Sequence, residues 1–302
     1  MPRTPLAVAL ALLLPLSSLA ASPVTDPQLP TTVVYSKTPQ AELSLYFFYP
    51  QGHSPDAQSP AVLFFFGGGW FNGTPNHFRP QAQHLAKRGI VAVTADYRTK
   101  RQHDTSPFDC LVDAINAMRY LRQHADALGL DPKRIGAGGG SAGGHLAIAL
   151  STTTAPDLIP NQPEALANTP FHPDALLLFN PVYDNGPTGY AHNRIGDRYT
   201  DFSPAHNLHA NMPPTLVLLG DQDNLIPVAT AERVRDRMTE LGVRSELIIY
   251  PNQPHGFFNR RADDDTMYQT TLQAMDTFLV SLNWLTPPTP PTPPATHPSP
   301  NP

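Results

Sequence analysis

Cysteine is almost missing from this chain: among 302 residues only Cys110 carries a thiol. A lone cysteine excludes an internal disulfide. Cys110 sits in an apolar helical pattern, which reads as a core position and not as a reactive thiol. No cluster of His, Cys or acidic residues has zinc-ligand spacing, and no GKS or GKT phosphate loop occurs. Chemistry without metal or cofactor is therefore expected. Charge is also sparse, at 15% of residues with a formal net charge of −5, and like charges never run together in a long block. A basic face for nucleic acid or for an anionic membrane is excluded on that basis. The longest apolar stretch, Leu6 to Leu16, is too short for a stable bilayer span and is broken by Pro15.

That stretch follows Met1-Pro2-Arg3 and precedes the small residues Ser18-Leu19-Ala20-Ala21-Ser22. A basic start, a short apolar run and small residues at a cleavage point describe an export signal. Residues 1–20 are expected to be removed and the product to be periplasmic or secreted. Proline is abundant, with 36 residues. Many fall in residues 286–302, TPPTPPTPPATHPSPNP, which cannot bury apolar area and predict an extended tail.

Residues 21–285 predict one catalytic domain. Strand patterns fall at Glu42–Tyr49, Ala61–Phe66, Ile90–Thr94, Arg134–Ala137, Ala175–Phe179, Thr215–Leu219 and Glu246–Tyr250. Continuous apolar runs such as AVLFFF suit a sheet covered on both faces. Helical patterns lie between them, at His77–Arg88, Pro107–Ala127, Ala142–Ser151, Val228–Leu241 and Asp264–Leu282. Ser106, Pro107 and Asp109 form a helix-start signal with a capping box. The alternation implies a mostly parallel central sheet in a three-layer α/β sandwich. The irregular stretch Pro181 to Pro214 is too long for a plain connection and reads as a small lid or substrate-shaping insertion.

After the strand at Arg134–Ala137 comes GGGSAGGH, and an alanine-rich helix begins at once. Gly139-x-Ser141-x-Gly143 in this strand–turn–helix setting is a nucleophile elbow. The flanking glycines are needed because side chains there would strike neighbouring elements. The strand at Ala61–Phe66 ends in Gly67-Gly68-Gly69-Trp70, a loop able to bring backbone N–H groups to a developing oxyanion. The N–H of Ala142, next to the nucleophile, supplies another donor. Further on, one strand leads into Gly220-Asp221-Gln222-Asp223 and the next into Pro251-Asn252-Gln253-Pro254-His255. An order of serine, acid, histidine suits Ser141 as nucleophile, His255 as base and Asp223 as the supporting acid, with Asp221 as the competing acid. His145, one helical turn past Ser141, reads as packing. Trp70, Phe71, Tyr183 and Tyr190 are open between pocket lining and core.

On these motifs the chain resembles the esterase/lipase branch of the α/β-hydrolases, related to hormone-sensitive lipase and to bacterial acetyl and feruloyl esterases. The likeness runs from about Ser59 to Leu285 and rests on FFFGGGW, Asp96-Tyr97-Arg98, GGGSAGGH, GDQDNLIP and QPHGFFN. It implies oxyanion donors at Gly68, Gly69 and Ala142, and Asp223 as the acid. It also implies short acyl esters as substrates, acetyl groups on carbohydrate included. One position departs: relatives carry His before the glycine run, and Phe66 stands here. The loop is then expected to be supported differently. Two other functions stay open at this point, an amidase, formamidase or peptidase with the same triad, and a non-catalytic carbohydrate-binding scaffold.

Overall fold

The computed structural model of the chain describes residues 31–153 and 168–287, with Leu29 and Leu158. The expected leader and its cleavage point lie outside the described residues, as does the proline-rich tail beyond Pro287.

Eight strands form one sheet: β1 Thr32–Lys37, β2 Glu42–Phe48, β3 Ser59–Phe65, β4 Val91–Ala95, β5 Leu130–Gly140, β6 Leu176–Phe179, β7 Thr215–Gly220 and β8 Ser245–Tyr250. Their spatial order is β1-β2-β4-β3-β5-β6-β7-β8. The pairs from β4 to β8 are parallel, while β2 runs antiparallel to β4 and β1 antiparallel to β2. Five longer helices cover the faces: α1 Arg79–Arg88, α2 Pro107–Gln123, α3 Ala142–Thr152, α4 Val228–Glu240 and α5 Thr266–Ser281. The three-layer arrangement is the one the alternating pattern predicts.

A strand's side chains point alternately to the two faces, and β3 shows why its apolar run is unbroken. Ala61, Leu63 and Phe65 enter the core beneath α2, α3 and α4, while Val62 and Phe64 enter the core beneath α1 and α5. Each such Leu or Phe contributes about 1.5–3 kcal/mol by leaving water, so the central strands dominate stability. Helix α2 begins as read. Ser106 Oγ accepts the Asp109 N–H at 3.3 Å, and Asp109 Oδ2 accepts the Ser106 N–H at 2.8 Å. Among the described residues no helix is long and apolar enough to cross a membrane.

Three differences from the sequence reading have physical causes. Strand β1 has no counterpart in it: it is an edge strand whose only buried residue is Tyr35, so its pattern barely alternates. Strand β5 is longer, starting at Leu130 and running through the glycines, because Gly138, Gly139 and Gly140 pair with Leu177, Leu178 and Phe179 of β6. The turn is confined to Ser141. Helix α1 starts at Arg79, not His77, since Pro75–Phe78 forms a separate 3-10 turn.

Candidate active site

The site lies at the carboxyl ends of the parallel strands, where an α/β sheet leaves its crevice. Ser141 ends β5 and starts α3, with φ 55° and ψ −119°. This backbone strain is stored where a nucleophile must stand clear of the sheet. Packing dictates the flanking glycines. A Cβ on Gly139 would lie 2.5 Å from the Gly143 carbonyl carbon, and one on Gly143 would lie 2.1 Å from the Phe65 oxygen.

Asp223 follows β7, and its side chain is fully buried. Its Oδ2 stands 2.7 Å from His255 Nδ1, and its Oδ1 accepts the N–H groups of Leu225 and Ile226, both at 2.9 Å. The carboxylate is thus fully satisfied and fixed in direction. Asp221, the competing acid, is exposed and accepts the Asn252 N–H at 2.7 Å. It holds the neighbouring turn and does not touch His255.

His255 Nδ1 bonded to a carboxylate leaves Nε2 as the free, basic nitrogen. Nε2 and Ser141 face one cavity of about 310 Å³, bounded also by Gly68, Gly69, Phe71, Tyr190, Leu225 and Phe258. No hydrogen bond joins the two among the described residues; Nε2 pairs with Asn180 Nδ2, at 3.5 Å. Such contacts commonly tighten only with substrate bound. A larger cavity of about 600 Å³ opens beside Tyr46, Asp96 and His103, but it presents neither serine nor cysteine.

The glycine loop sorts its donors. The Gly67 N–H is committed to His77 Nδ1 at 2.9 Å. The N–H groups of Gly68, Gly69 and Ala142 make no hydrogen bond among the described residues. Gly68 has φ 121°, and a Cβ there would lie 2.0 Å from the Asn72 oxygen. Only glycine fits that turn.

His77, which the sequence marks only as the start of a helical pattern, answers the departure at Phe66. Its Nδ1 accepts from Gly67, so Nε2 carries the hydrogen and donates to Asn259 Oδ1 at 2.7 Å. Burial lowers the pKa of His77 below the usual imidazole value; the bond to Asn259 opposes this and the nearby His255 adds to it. Asn259 Nδ2 in turn donates to the Gly256 carbonyl at 2.9 Å, and the Gly256 N–H donates to Asn180 Oδ1 at 2.8 Å. One polar chain therefore ties the glycine loop to the loop that carries His255. Phe66 lies flat on Tyr97, ring centroids 3.8 Å apart, and Tyr97 OH donates to the Phe66 carbonyl at 2.7 Å. Asn180 and Asn259 were also missed; each is a single loop or strand-end polar residue with no sequence period to mark it.

The insertion Pro181 to Pro214 contributes Tyr190 and Arg194 above Gly69. Phe71 and Tyr190 line the cavity, whereas Trp70 and Tyr183 are buried at 1% exposure. His145 packs as read: it is fully buried and hydrogen-bonded to the Phe202 carbonyl at 3.0 Å. Cys110 is buried, and burial raises its thiol pKa well above the usual value. No group of His, Cys, Asp or Glu among the described residues could hold a metal ion.

An elbow serine, an imidazole oriented by a buried carboxylate and unpaired N–H groups around one small cavity together define a serine hydrolase of α/β architecture. Comparison with known proteins agrees. Residues 62–259 match the model of the α/β-hydrolase fold family, and the chain belongs to that family, in its esterase branch. Among solved structures, propionate-bound esterase 2 of Thermogutta terrifontis superposes with a TM-score of 0.78 at 38% identity, over 87% of this chain and 98% of that one. The same esterase is also known phosphorylated by paraoxon. Esterase LipC of Mycobacterium tuberculosis is 29% identical over 67% of this chain and 54% of its own length. The acetylxylan esterase of Xylanibacter ruminicola is 27% identical over 63% of this chain and 39% of its own length. The chain spans about half the length of the curated relatives it matches.

Proposed function

We propose that the protein is a serine carboxylic ester hydrolase that works through an acyl-enzyme on short acyl esters, acetyl groups on carbohydrates among them. The observation that carries this reading is the Asp223–His255 pair, 2.7 Å apart, opening onto the cavity that holds Ser141. In the acylation step His255 Nε2 takes the Ser141 proton as Oγ bonds to the ester carbonyl carbon. The carbonyl oxygen gains negative charge and receives hydrogen bonds from the N–H groups of Gly68, Gly69 and Ala142. One such donor is worth about 3–4 kcal/mol in the transition state. The tetrahedral species collapses, the C–O bond to the alcohol breaks, and His255 returns the proton to that oxygen. Water, deprotonated by the same imidazole, then attacks the acyl-enzyme, and Ser141 leaves with the proton. Asp223 holds the tautomer and stabilises the imidazolium throughout.

The cavity volume of about 310 Å³ and its wall of Phe71, Tyr190, Leu225 and Phe258 favour short acyl groups. Support for carbohydrate-linked acetyl esters is the likeness to an acetylxylan esterase. Export belongs to the same proposal, with residues 21–285 as the hydrolase and 286–302 as a tail. Sequencing of the exported protein should begin at Ala21, and an intact Met1 would overturn it. The central test is Ser141→Ala, which should abolish turnover of p-nitrophenyl acetate in folded protein. Retained turnover would remove Ser141 from the role, and faster turnover of a matched anilide would move the reading to an amidase.

A further inference from the structure

Resting on that esterase reading, we propose that Arg194 makes the cavity selective for esters carrying a carboxylate close to the scissile carbonyl. Among the cavity-lining side chains Arg194 is the one permanent charge; the others are apolar, amide, hydroxyl or imidazole groups. Arginine is protonated at every working pH.

Arg194 also has no acid of its own. Arg98, Arg122, Arg134 and Arg244 each have a carboxylate oxygen within 4.0 Å, as do several other arginines. No Asp or Glu among the described residues stands in that relation to Arg194. Among the described residues its guanidinium makes one hydrogen bond, from Nη1 to the Gly69 carbonyl at 2.6 Å. A guanidinium has five N–H donors, so most of them remain for a ligand.

The group is held in place as well as unpaired. Its carbon lies 5.6 Å from the Trp70 ring centroid and 5.9 Å from that of Tyr190, both in cation–π range. Together with the Gly69 bond, these contacts fix a normally mobile side chain, which lowers the entropy lost when it meets an anion. The direction is informative too. A Cβ on Gly69 would lie 3.6 Å from Arg194 Nη2, and the Gly69 N–H is one of the unpaired donors proposed for the oxyanion. The charge therefore lies against the residue that offers this donor. A planar guanidinium beside an ester carbonyl matches a carboxylate about two to four bonds away, through charge-assisted and bidentate hydrogen bonds.

Two roles compete with selectivity. As a brace on the Gly69 carbonyl alone, Arg194 would affect all substrates equally, and so would a positive charge that merely stabilises the oxyanion. Matched substrates separate these. The first pair, O-acetylglycolate and O-acetylglycolamide, places the charge on the alcohol side. The second, ethyl hydrogen glutarate and ethyl valerate, places it on the acyl side. Wild type should favour the charged member of at least one pair in kcat/KM by about fivefold, the upper range for an exposed ion pair, and 0.5 M salt should erode that preference. Arg194→Gln should remove it, and Arg194→Lys, which keeps the charge, should restore part. Arg194 is exposed, and circular dichroism checks that the variants fold. An anion-to-neutral ratio near one in wild type, or one that Arg194→Gln leaves unchanged in both pairs, would overturn the proposal. Failure of wild type to turn over even the neutral members would instead strike the esterase reading.

Discussion

Replacing His77 by Phe tests whether the glycine loop owes its shape to a histidine eleven positions beyond Phe66. The Gly67 N–H lies in a buried segment and has His77 Nδ1 as its partner. Removing the acceptor forfeits a hydrogen bond of about 1 kcal/mol net and leaves a buried donor unpaired, at about 1–3 kcal/mol. The loop relieves that cost by turning, and in turning it moves the adjacent Gly68 and Gly69 donors. Loss of one aligned donor lowers kcat about 100-fold to 1,000-fold, so a partial misalignment should lower it about 10-fold to 100-fold. KM for a short neutral ester should change little, because the donors act mainly on the transition state. His77→Gln, whose amide oxygen can still accept, should recover part of the loss. Steady-state kinetics on p-nitrophenyl acetate reads the effect, with thermal unfolding as a check on folding. If His77→Phe keeps kcat within twofold while remaining folded, the loop holds its shape without the histidine and the reasoning fails.

Asp223→Asn should lower kcat/KM about a thousandfold or more through loss of the correct tautomer, whereas Asp221→Asn should cost less than tenfold; the reverse order, by the same kinetics, would reassign the acid. Asn180→Ala removes the acceptor of the Gly256 N–H and the amide beside His255 Nε2, so kcat should fall about tenfold at unchanged secondary structure, and an unchanged kcat would show that the histidine loop is fixed elsewhere. His145 is held neutral by burial, its pKa lowered from 6.5 to about 3. The unfolded chain takes up this proton near pH 6.5 and the folded one does not. Its contribution is therefore complete above that pH and is lost as pH falls toward 3. Between pH 6.5 and 4.5 the loss is about 2 kcal/mol, at about 1.36 kcal/mol per unit. Urea unfolding across that range should show a flatter pH slope for His145→Phe than for wild type, and parallel slopes would remove His145 as the source.

What the sequence discloses and what it hides divide along a physical line. Gly139 and Gly143 were legible because backbone atoms of Phe65 and of α3 itself occupy the space any Cβ would take. Ser141 and Asp223 were legible because each follows a strand that ends buried, and His255 because it follows the apolar run of the half-buried edge strand β8; the chain order of the three is fixed by the fold. The residues alone left Asp221 competing with Asp223, and the family resemblance favoured Asp223; the turn that points one carboxylate at His255 and leaves the other at the surface shows only in the structure. His77, Asn180 and Asn259 follow no such rule. His77 and Asn259 are 182 positions apart yet meet at 2.7 Å, and neither carries a period, a cap or a glycine to announce it. The substitution at Phe66 was the one readable trace of them. A histidine there would have to displace a ring stacked on Tyr97, whose hydroxyl already binds the Phe66 carbonyl. With that face taken up by aromatic packing, the acceptor for the loop must come from its other side. The 3-10 turn Pro75–Phe78 supplies it, which is also why α1 begins two residues later than its apolar pattern suggests.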